Sequence, residues 1–570
     1  MFRTTRYIIN TPRCNSSVVV GRLPLPLPLP LLPQPLLATT STSHFSTTTT
    51  TLVTKTPSSH FTTTTSSHLL PLPQPHHSNR YSYLNYSTTN INNSNDRTNY
   101  NNNNNSNNNN NNSNKDNKDN NNKKNGNGGY KVMVPLLAAG FAIPLCILAV
   151  NGNGTTPPNV DVQKIYANKS TSELIFNYVI LKICSMKILS DNGLFIIETA
   201  QKLGLSRPLY WVVRNTFFKQ FCAGETIEET EEFTNRLNLQ GIGTILDYSV
   251  EDSEGSPESF DHVATMIKRT IAMAAKHPEK SFSCVKVTGL TNPKLLEKLN
   301  TIIAAHPKYT AELLRDPMAV YSQAGTLSQA ELVELQQLVS RLDSIFSECY
   351  RTNVPVLVDA EQTYYQAAIH HLAMAFSVKY NTNRPLIYNT YQMYLVQGLD
   401  TLKDHMGLSK EQSFHLGAKL VRGAYMSSER KRALELGLAD PIQPTIQETH
   451  HNYFTAMELL LKESPNVGVM FATHNEQSIQ FGVDRIKQLN LDPANPNLQF
   501  GQLFGMADFL SFGLASQHQR VFKYVPFGPV QETLPYLVRR MQENRGFVGS
   551  NSAIETGLLM KEIKRRLSIF

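Results

Sequence analysis

Near the end of the chain, the stretch ETLPYLVRRMQEN (532–544) sets Tyr536, Arg539, Arg540 and Glu543 at i, i+3, i+4 and i+7. On a helix these four share one face. Two adjacent guanidiniums can fork onto a carboxylate through charge-assisted hydrogen bonds. Thr533 is the expected N-cap and Pro535 belongs in the first turn. Leu534, Leu537, Val538 and Met541 supply apolar packing. Taken alone, the same pattern also suits a solvated charged face, so its meaning depends on what stands opposite.

Other polar residues recur at the ends of short apolar runs. They are Lys286, Asp359 with Glu361 after it, Gln392, Lys419, Arg422 and Tyr425, His474 with Asn475, Gln502 and Tyr524. A lysine or histidine in such a place is more often a hydrogen-bonded structural residue than a ligand. A whole ring of them is harder to assign to structure alone. Together with the arginine pair they suggest an anionic small molecule held beneath a cofactor. Two other chemistries find no support. The pairs His370-His371 and His450-His451 diverge on a helix, so neither forms a shared metal site, and no Ser-His-Asp arrangement is identifiable.

The runs that must position these residues are strands and helices in alternation. Candidate strands fall at 243–249, 283–289, 354–360, 385–390, 417–423, 467–473, 498–503 and 522–527. Amphipathic stretches such as AELVELQQLVSRLDSIF and TYYQAAIHHLAMAF lie between them. Eight strands alternating with helices predict parallel α/β architecture, and the count favours a closed barrel over an open doubly wound sheet. In such a barrel the site lies at the C-terminal strand ends. The one Gly-x-Gly near a strand, Gly241-Ile-Gly243, enters the strand rather than leaving it, so a dinucleotide fingerprint is declined. No phosphate loop of the Gly-x-x-x-x-Gly-Lys-Ser/Thr type occurs.

The net charge of +8 is misleading about the folded part. Residues 1–150 hold 12 Lys+Arg and 3 Asp+Glu, leaving 41 and 42 for the remainder. The globular part is near neutral and shows no basic stripe, so no nucleic acid partner is expected. Six scattered cysteines without a Cys-x-x-Cys pair support neither a zinc site nor a disulfide framework. No acidic residue precedes Asp96, while Arg3, Arg6, Arg13 and Arg22 lie among many Ser and Thr. That composition predicts a transit peptide over 1–40. Ser/Thr/Asn tracts over 41–129 predict disorder. Within 130–151, the run VMVPLLAAGFAIPLCILAV (132–150) has 19 residues without a charge, long enough for a membrane-associated or spanning segment. Helical texture over 160–240, opened by the capping-box pattern Ser170-x-x-Glu173, predicts a helical arm. The barrel is placed at 241–550 and a C-terminal tail at 551–570.

Over residues 190–550 the chain resembles the proline dehydrogenase (proline oxidase) family, in its mitochondrial eukaryotic type. The shared words are FCAGET (221–226), LDYSVED (246–252), VDAEQ (358–362), KLVRGAYM (419–426), ATHN (472–475), LFGMAD (503–508), YVPFG (524–528) and YLVRRMQEN (536–544). The resemblance implies a distorted (β/α)8 TIM-type barrel with an N-terminal helical arm, a disordered N-terminal region and noncovalent FAD. It implies oxidation of L-proline to Δ1-pyrroline-5-carboxylate, with a hydride passing to the flavin and electrons going on to ubiquinone at the matrix side of the inner mitochondrial membrane. Arg539 and Arg540 match the pair that grips the substrate carboxylate, Lys286 a lysine supporting it, and Asp359 an acid beside it. Leu420, Tyr425, Tyr524 and Tyr536 match the shell around the pyrrolidine ring. Gln392, Lys419, Arg422, His474 and Glu543 match flavin-contacting positions. Two departures affect the flavin contacts: some bacterial members carry arginine where Lys419 stands and tryptophan where Met426 stands.

Three other readings are kept. Hydroxyproline dehydrogenase shares fold and chemistry, with Tyr524 as the discriminating position. Methylenetetrahydrofolate reductase is a remoter flavin barrel. A membrane-tethered, non-catalytic barrel scaffold is disfavoured by the intact Lys286, Arg539 and Arg540 set.

Overall fold

The computed structural model describes residues 161–249, 255–306, 309–546 and 551–568. The segments 1–40, 41–129 and 130–151 therefore lie outside the described residues.

Eight parallel strands close into a barrel in sequence order. They are β1 (Gly243–Tyr248), β2 (Ser281–Val285), β3 (Val356–Val358), β4 (Ile387–Gln392), β5 (Gly417–Val421), β6 (Gly468–Ala472), β7 (Leu498–Leu503) and β8 (Val521–Phe527). Pairing of β1 with β8, from Gly243↔Phe522 to Tyr248↔Phe527, seals it. All eight expected strands are present, and helices cover each crossover, as parallel pairing requires.

The helices that matter for the site are few. The arm contains α1 (Thr171–Cys184), α2 (Lys187–Lys202), α3 (Ser206–Val213) and α4 (Ile227–Leu239). Between β2 and β3 runs α5 (Gln329–Thr352), and after β3 comes α6 (Thr363–Tyr380). Past β5 stands α7 (Ile446–Lys462), and past β7 α8 (Asp508–Ser516). The chain closes with α9 (Val530–Gly546) and α10 (Asn551–Arg566). Ser170, Ser328 and Thr445 each accept from the third backbone N–H of their helix, while Glu173, Glu331 and Glu448 reach back to the cap. These reciprocal bonds satisfy donors that a helix start otherwise leaves unpaired.

Three expectations need correcting. The final helix begins at Val530, not after Thr533, because Gly528-Pro529 already turns the chain and the Pro529 carbonyl accepts from Glu532 and Thr533. Pro535 consequently sits inside the helix. Lys286 lies one residue beyond β2 rather than within it. Residues 551–566, expected as a tail, form α10, which buries Leu558, Leu559 and Ile563.

The helix α10 closes a clasp around the arm. Arg566 donates to the carbonyls of Lys169 (2.6 Å) and Tyr166 (2.7 Å). Tyr166 donates to Glu555 at 2.8 Å. Asp508, at the start of α8, bonds both Lys169 and Lys523, the latter at 2.9 Å. Burial and the nearby Asp508 push the Glu555 carboxyl up to about 7. The first and last described elements thus meet against the outer side of β8.

Candidate active site

Along each strand, alternate residues enter the barrel. At its N-terminal end these are Phe282, Phe522 and Tyr388. Phe282 packs edge-on against Tyr388 and Phe522, with ring centroids 5.5 and 5.0 Å away. Glycines make room for these rings. A Cβ at Gly243 would lie 2.4 Å from Phe522, and one at Gly468 would lie 2.4 Å from the Tyr388 hydroxyl.

Two to four residues further toward the C-terminal strand ends the interior becomes polar. Lys286 Nζ lies 2.6 Å from Asp247 Oδ2 and donates to the Tyr524 hydroxyl at 3.2 Å. Lys419 Nζ donates to Asp359 Oδ1 at 2.5 Å. The Tyr524 hydroxyl donates to Asp359 Oδ2 at 2.8 Å, and the Cys284 thiol reaches the same oxygen at 2.9 Å. Both ammoniums also lie near the Tyr524 ring, at 5.8 Å for Lys286 and 5.2 Å for Lys419. Burial alone would raise the Asp359 carboxyl, but Lys419 and Lys286 outweigh it and hold it below the usual range. Lys419 is raised correspondingly: burial works against its charge and Asp359 overrides that.

The last helix adds a second cluster. Arg540 bonds Glu543, and its guanidinium lies 4.8 Å from the Tyr536 ring centroid. Burial raises the Glu543 carboxyl against the pull of Arg540 and Arg539. Burial foremost raises the Tyr536 phenol, with Asp247, the partner of Lys286, a minor contributor. Arg539 is half-buried on the adjacent position.

The remaining expected residues are held separately. Arg422 donates to Thr473 and Ser478, both at 2.9 Å, to His450 Nδ1 at 3.0 Å, and stacks 4.5 Å from Tyr453. His474 Nε2 accepts from the Leu503 N–H at 2.8 Å. Burial, with Lys523 and Arg540 nearby, pushes its imidazole down to about 3, so it is neutral near pH 7. Gln392 donates to the Glu361 carbonyl at 2.8 Å. Tyr425 is half-buried and its N–H reaches the Tyr394 hydroxyl at 3.3 Å. Leu420 is fully buried in the apolar cluster.

Asp247 and Cys284 join the site without having been expected there. Both stand two residues from an inward-facing neighbour, Asp247 after Ile245 and Cys284 before Lys286. Strand alternation from Lys286 marks Cys284. Asp247 lies in LDYSVED, where its acid reads like the start of a loop.

An isoalloxazine edge is rich in acceptors and its reduced form is anionic. The donors here fit such a group: Lys419, Arg422, Gln392 and the arginine pair. Arg540 Nε and the Tyr536 hydroxyl are buried with no hydrogen-bond partner among the described residues, which leaves donor capacity for a polar ligand. A cavity of about 10 Å³ lies beside His474 and Asn544, lined also by Met506 and Glu555. Among the described residues no His/Cys/Asp/Glu group is placed to hold a metal ion.

The description "Proline dehydrogenase" matches residues 230–552. The chain belongs to the proline dehydrogenase family. Within that family it is 48% identical over 437 residues to "Proline dehydrogenase 1, mitochondrial" of Dictyostelium discoideum, covering 73% of this chain and 76% of that one. It is 32% identical over 430 residues to "Proline dehydrogenase 2, mitochondrial" of Arabidopsis thaliana, covering 71% and 90%. It is also 31% identical over 416 residues to "Hydroxyproline dehydrogenase" of Xenopus laevis, covering 71% and 89%. Among solved structures, proline utilization A from Bdellovibrio bacteriovorus aligns with a TM-score of 0.51 at 17% identity. That match covers 75% of this chain and 43% of the longer one, and it bears on the family's barrel fold alone.

Proposed function

We propose that this chain oxidises L-proline to Δ1-pyrroline-5-carboxylate with FAD as its cofactor, and passes the electrons to ubiquinone. The reading is supported above all by the strand-end cluster of Lys286, Asp247, Asp359, Lys419 and Tyr524 facing the helix that carries Arg539 and Arg540. Four cations stand there against Asp247, Asp359 and a Glu543 carboxyl raised by burial. The surplus of positive charge suits the carboxylate of proline, which Arg539 and Arg540 bind with Lys286 in support. Tyr524, Tyr536, Tyr425 and Leu420 wall the apolar ring. Tyr524 is fixed through its hydroxyl by Asp359 and Lys286, so it orients the ring and keeps water from it.

Oxidation removes a hydride from C5 and a proton from nitrogen, and FAD, when bound, supplies the two-electron acceptor. Lys419, Arg422, Gln392, His474 and Glu543 would hold the cofactor. His474 is neutral near pH 7, and its Nε2 accepts from the Leu503 N–H. The names of the relatives support a mitochondrial location, and a lipid-soluble acceptor suits an enzyme at the matrix side of the inner membrane. The bulk of Tyr524 leaves little room for a 4-hydroxyl group, which favours proline over hydroxyproline.

The test is spectroscopic. Purified protein should be yellow and should lose its flavin absorbance when L-proline is added without oxygen. Colourless protein, or colour unmoved by proline, would sink the reading. Faster turnover of trans-4-hydroxyproline than of proline would reverse the substrate assignment.

A further inference from the structure

Neighbouring residues of β8 serve its two faces. Tyr524 enters the barrel mouth, and Lys523 points the other way, because successive strand residues alternate. Lys523 is buried against the start of α8, and burial works against its charge. The charge persists because Nζ meets three acceptors: the Met506 carbonyl at 2.7 Å, Asp508 Oδ1 at 2.9 Å and the Leu503 carbonyl at 3.3 Å.

All three acceptors belong to one turn, Leu503 to Asp508, which joins β7 to α8. The turn is tied down at two further points. The Phe504 N–H donates to the Tyr524 carbonyl at 3.0 Å, and the Gln220 side chain donates to the Gly505 carbonyl at 2.8 Å. Gly505 has a φ of +76°, and a Cβ there would stand 2.1 Å from the Gln220 carbonyl oxygen. Ala507 also has a positive φ, 51°, without a glycine's freedom. An alanine in the left-handed region costs free energy and persists where its surroundings over-determine it. Here Lys523 grips the carbonyl before Ala507 and the carboxylate after it.

The fixed turn acts on His474. The Leu503 N–H donates to His474 Nε2 at 2.8 Å, and Met506 and Ala507 line the small cavity beside the ring. A ring that accepts at Nε2 is neutral and carries its proton on Nδ1. After burial, the charge of Lys523 does most to keep the imidazole neutral. One ammonium therefore fixes the amide that His474 binds and disfavours the protonation that would break that bond. Asp508 bonds Lys169 through its other oxygen, so the terminal clasp ends on the same turn.

We propose that Lys523 is a positioning residue for His474: by clamping the turn from Leu503 to Asp508 it sets the orientation and tautomer of an imidazole that meets the cofactor. The meeting with the cofactor rests on the proposed flavin function; the clamp on the ring does not.

The test is a double-mutant cycle in the full-length holoenzyme. Lys523→Met keeps the length of the side chain and removes its charge. It should weaken FAD affinity by roughly tenfold, which lies within the range of coupling between residues of one hydrogen-bond network. In a His474→Ala background the same substitution should change that affinity by less than about twofold. Equal losses in both backgrounds, whatever happens to the melting temperature, would overturn the proposal and leave Lys523 a stabilising ion pair. Unchanged affinity would overturn it too. If Lys523→Met does not fold, Asp508→Asn, which removes the opposing charge but keeps an acceptor, decides by the same comparison. A second readout needs no cofactor. In protein carrying isotopically labelled histidine, the imidazole nitrogen signals missing from His474→Ala should report a single tautomer. In Lys523→Met or Asp508→Asn they should report two tautomers in exchange, and a single unchanged tautomer there would overturn the proposal. Unsubstituted protein that takes up no FAD would count against the flavin reading alone, and the histidine signals would still decide the clamp.

Discussion

The floor and the mouth of this barrel lie two to four residues apart along its strands, and they obey opposite rules. Phe282 and Lys286 belong to one run of chain, as do Phe522 and Tyr524. At the floor, aromatic rings meet glycines, and the Arg520 guanidinium lies over the Phe522 ring at 5.8 Å. At the mouth, each ammonium has a carboxylate and the Tyr524 hydroxyl bridges to both pairs. The floor gains its energy from apolar burial, which is non-directional and tolerates no lost volume. The mouth holds charges that burial disfavours singly and that persist because they are paired. A change at the floor should therefore cost stability, and a change at the mouth should cost function first.

Phe282→Ala should break the floor most severely, lowering stability by about 3–5 kcal/mol. Denaturant unfolding measures this, and the KM of whatever protein stays folded should be little altered. Arg540→Ala should act at the other end, reducing proline kcat/KM by about 2–5 kcal/mol of lost carboxylate binding. A melting temperature that falls as far as in the Phe282 variant would blur the distinction between the two regions.

Acid should sharpen the contrast. The unfolded chain titrates His474 near 6.5, while the folded imidazole is pushed down to about 3. Below pH 6.5 the unfolded state therefore binds a proton that the folded state does not. The His474 contribution is complete above that pH and declines as pH falls toward 3, by roughly 2 kcal/mol at pH 5. Asp359, depressed by its lysines, adds to the loss at lower pH in the same direction. In His474→Asn the slope of stability against pH between 6.5 and 5 should flatten. The smallest effect belongs to Cys284→Ala, which removes one contact to Asp359 and should change kcat/KM by about 1–2 kcal/mol. No change at all would make Cys284 simple packing.

How much of this was legible in sequence follows from the same physics. Strands are visible because β-branched and apolar runs are local, and the eight runs at 243–527 coincide with the eight strands. The mouth was partly legible, since Lys286, Asp359, Lys419 and Tyr524 stand at or near strand ends and prove to be mutually bonded. Asp247 was missed because its reason for being there is Lys286, 39 residues away, and pairing across strands leaves no local signature. The position of Pro535 was misjudged because helix capping rules favour it early, whereas Pro529 had already started the turn. The burial of α10 could not be read from its charged sequence, whose partners lie in the arm almost 400 residues earlier.

That clasp makes the folded body nearly circular. Arg566 holds the Tyr166 and Lys169 carbonyls, so the place where the described chain starts and the place where it finishes are neighbours. A short peptide could join them, and new termini could be opened at the exposed Gly437–Asp440 turn without separating any two barrel strands from their hydrogen bonds. Such a rearranged molecule should keep its catalytic mouth, and its two ends would become attachment points on the far side of the ring, well suited to fusing reporter or scaffold proteins.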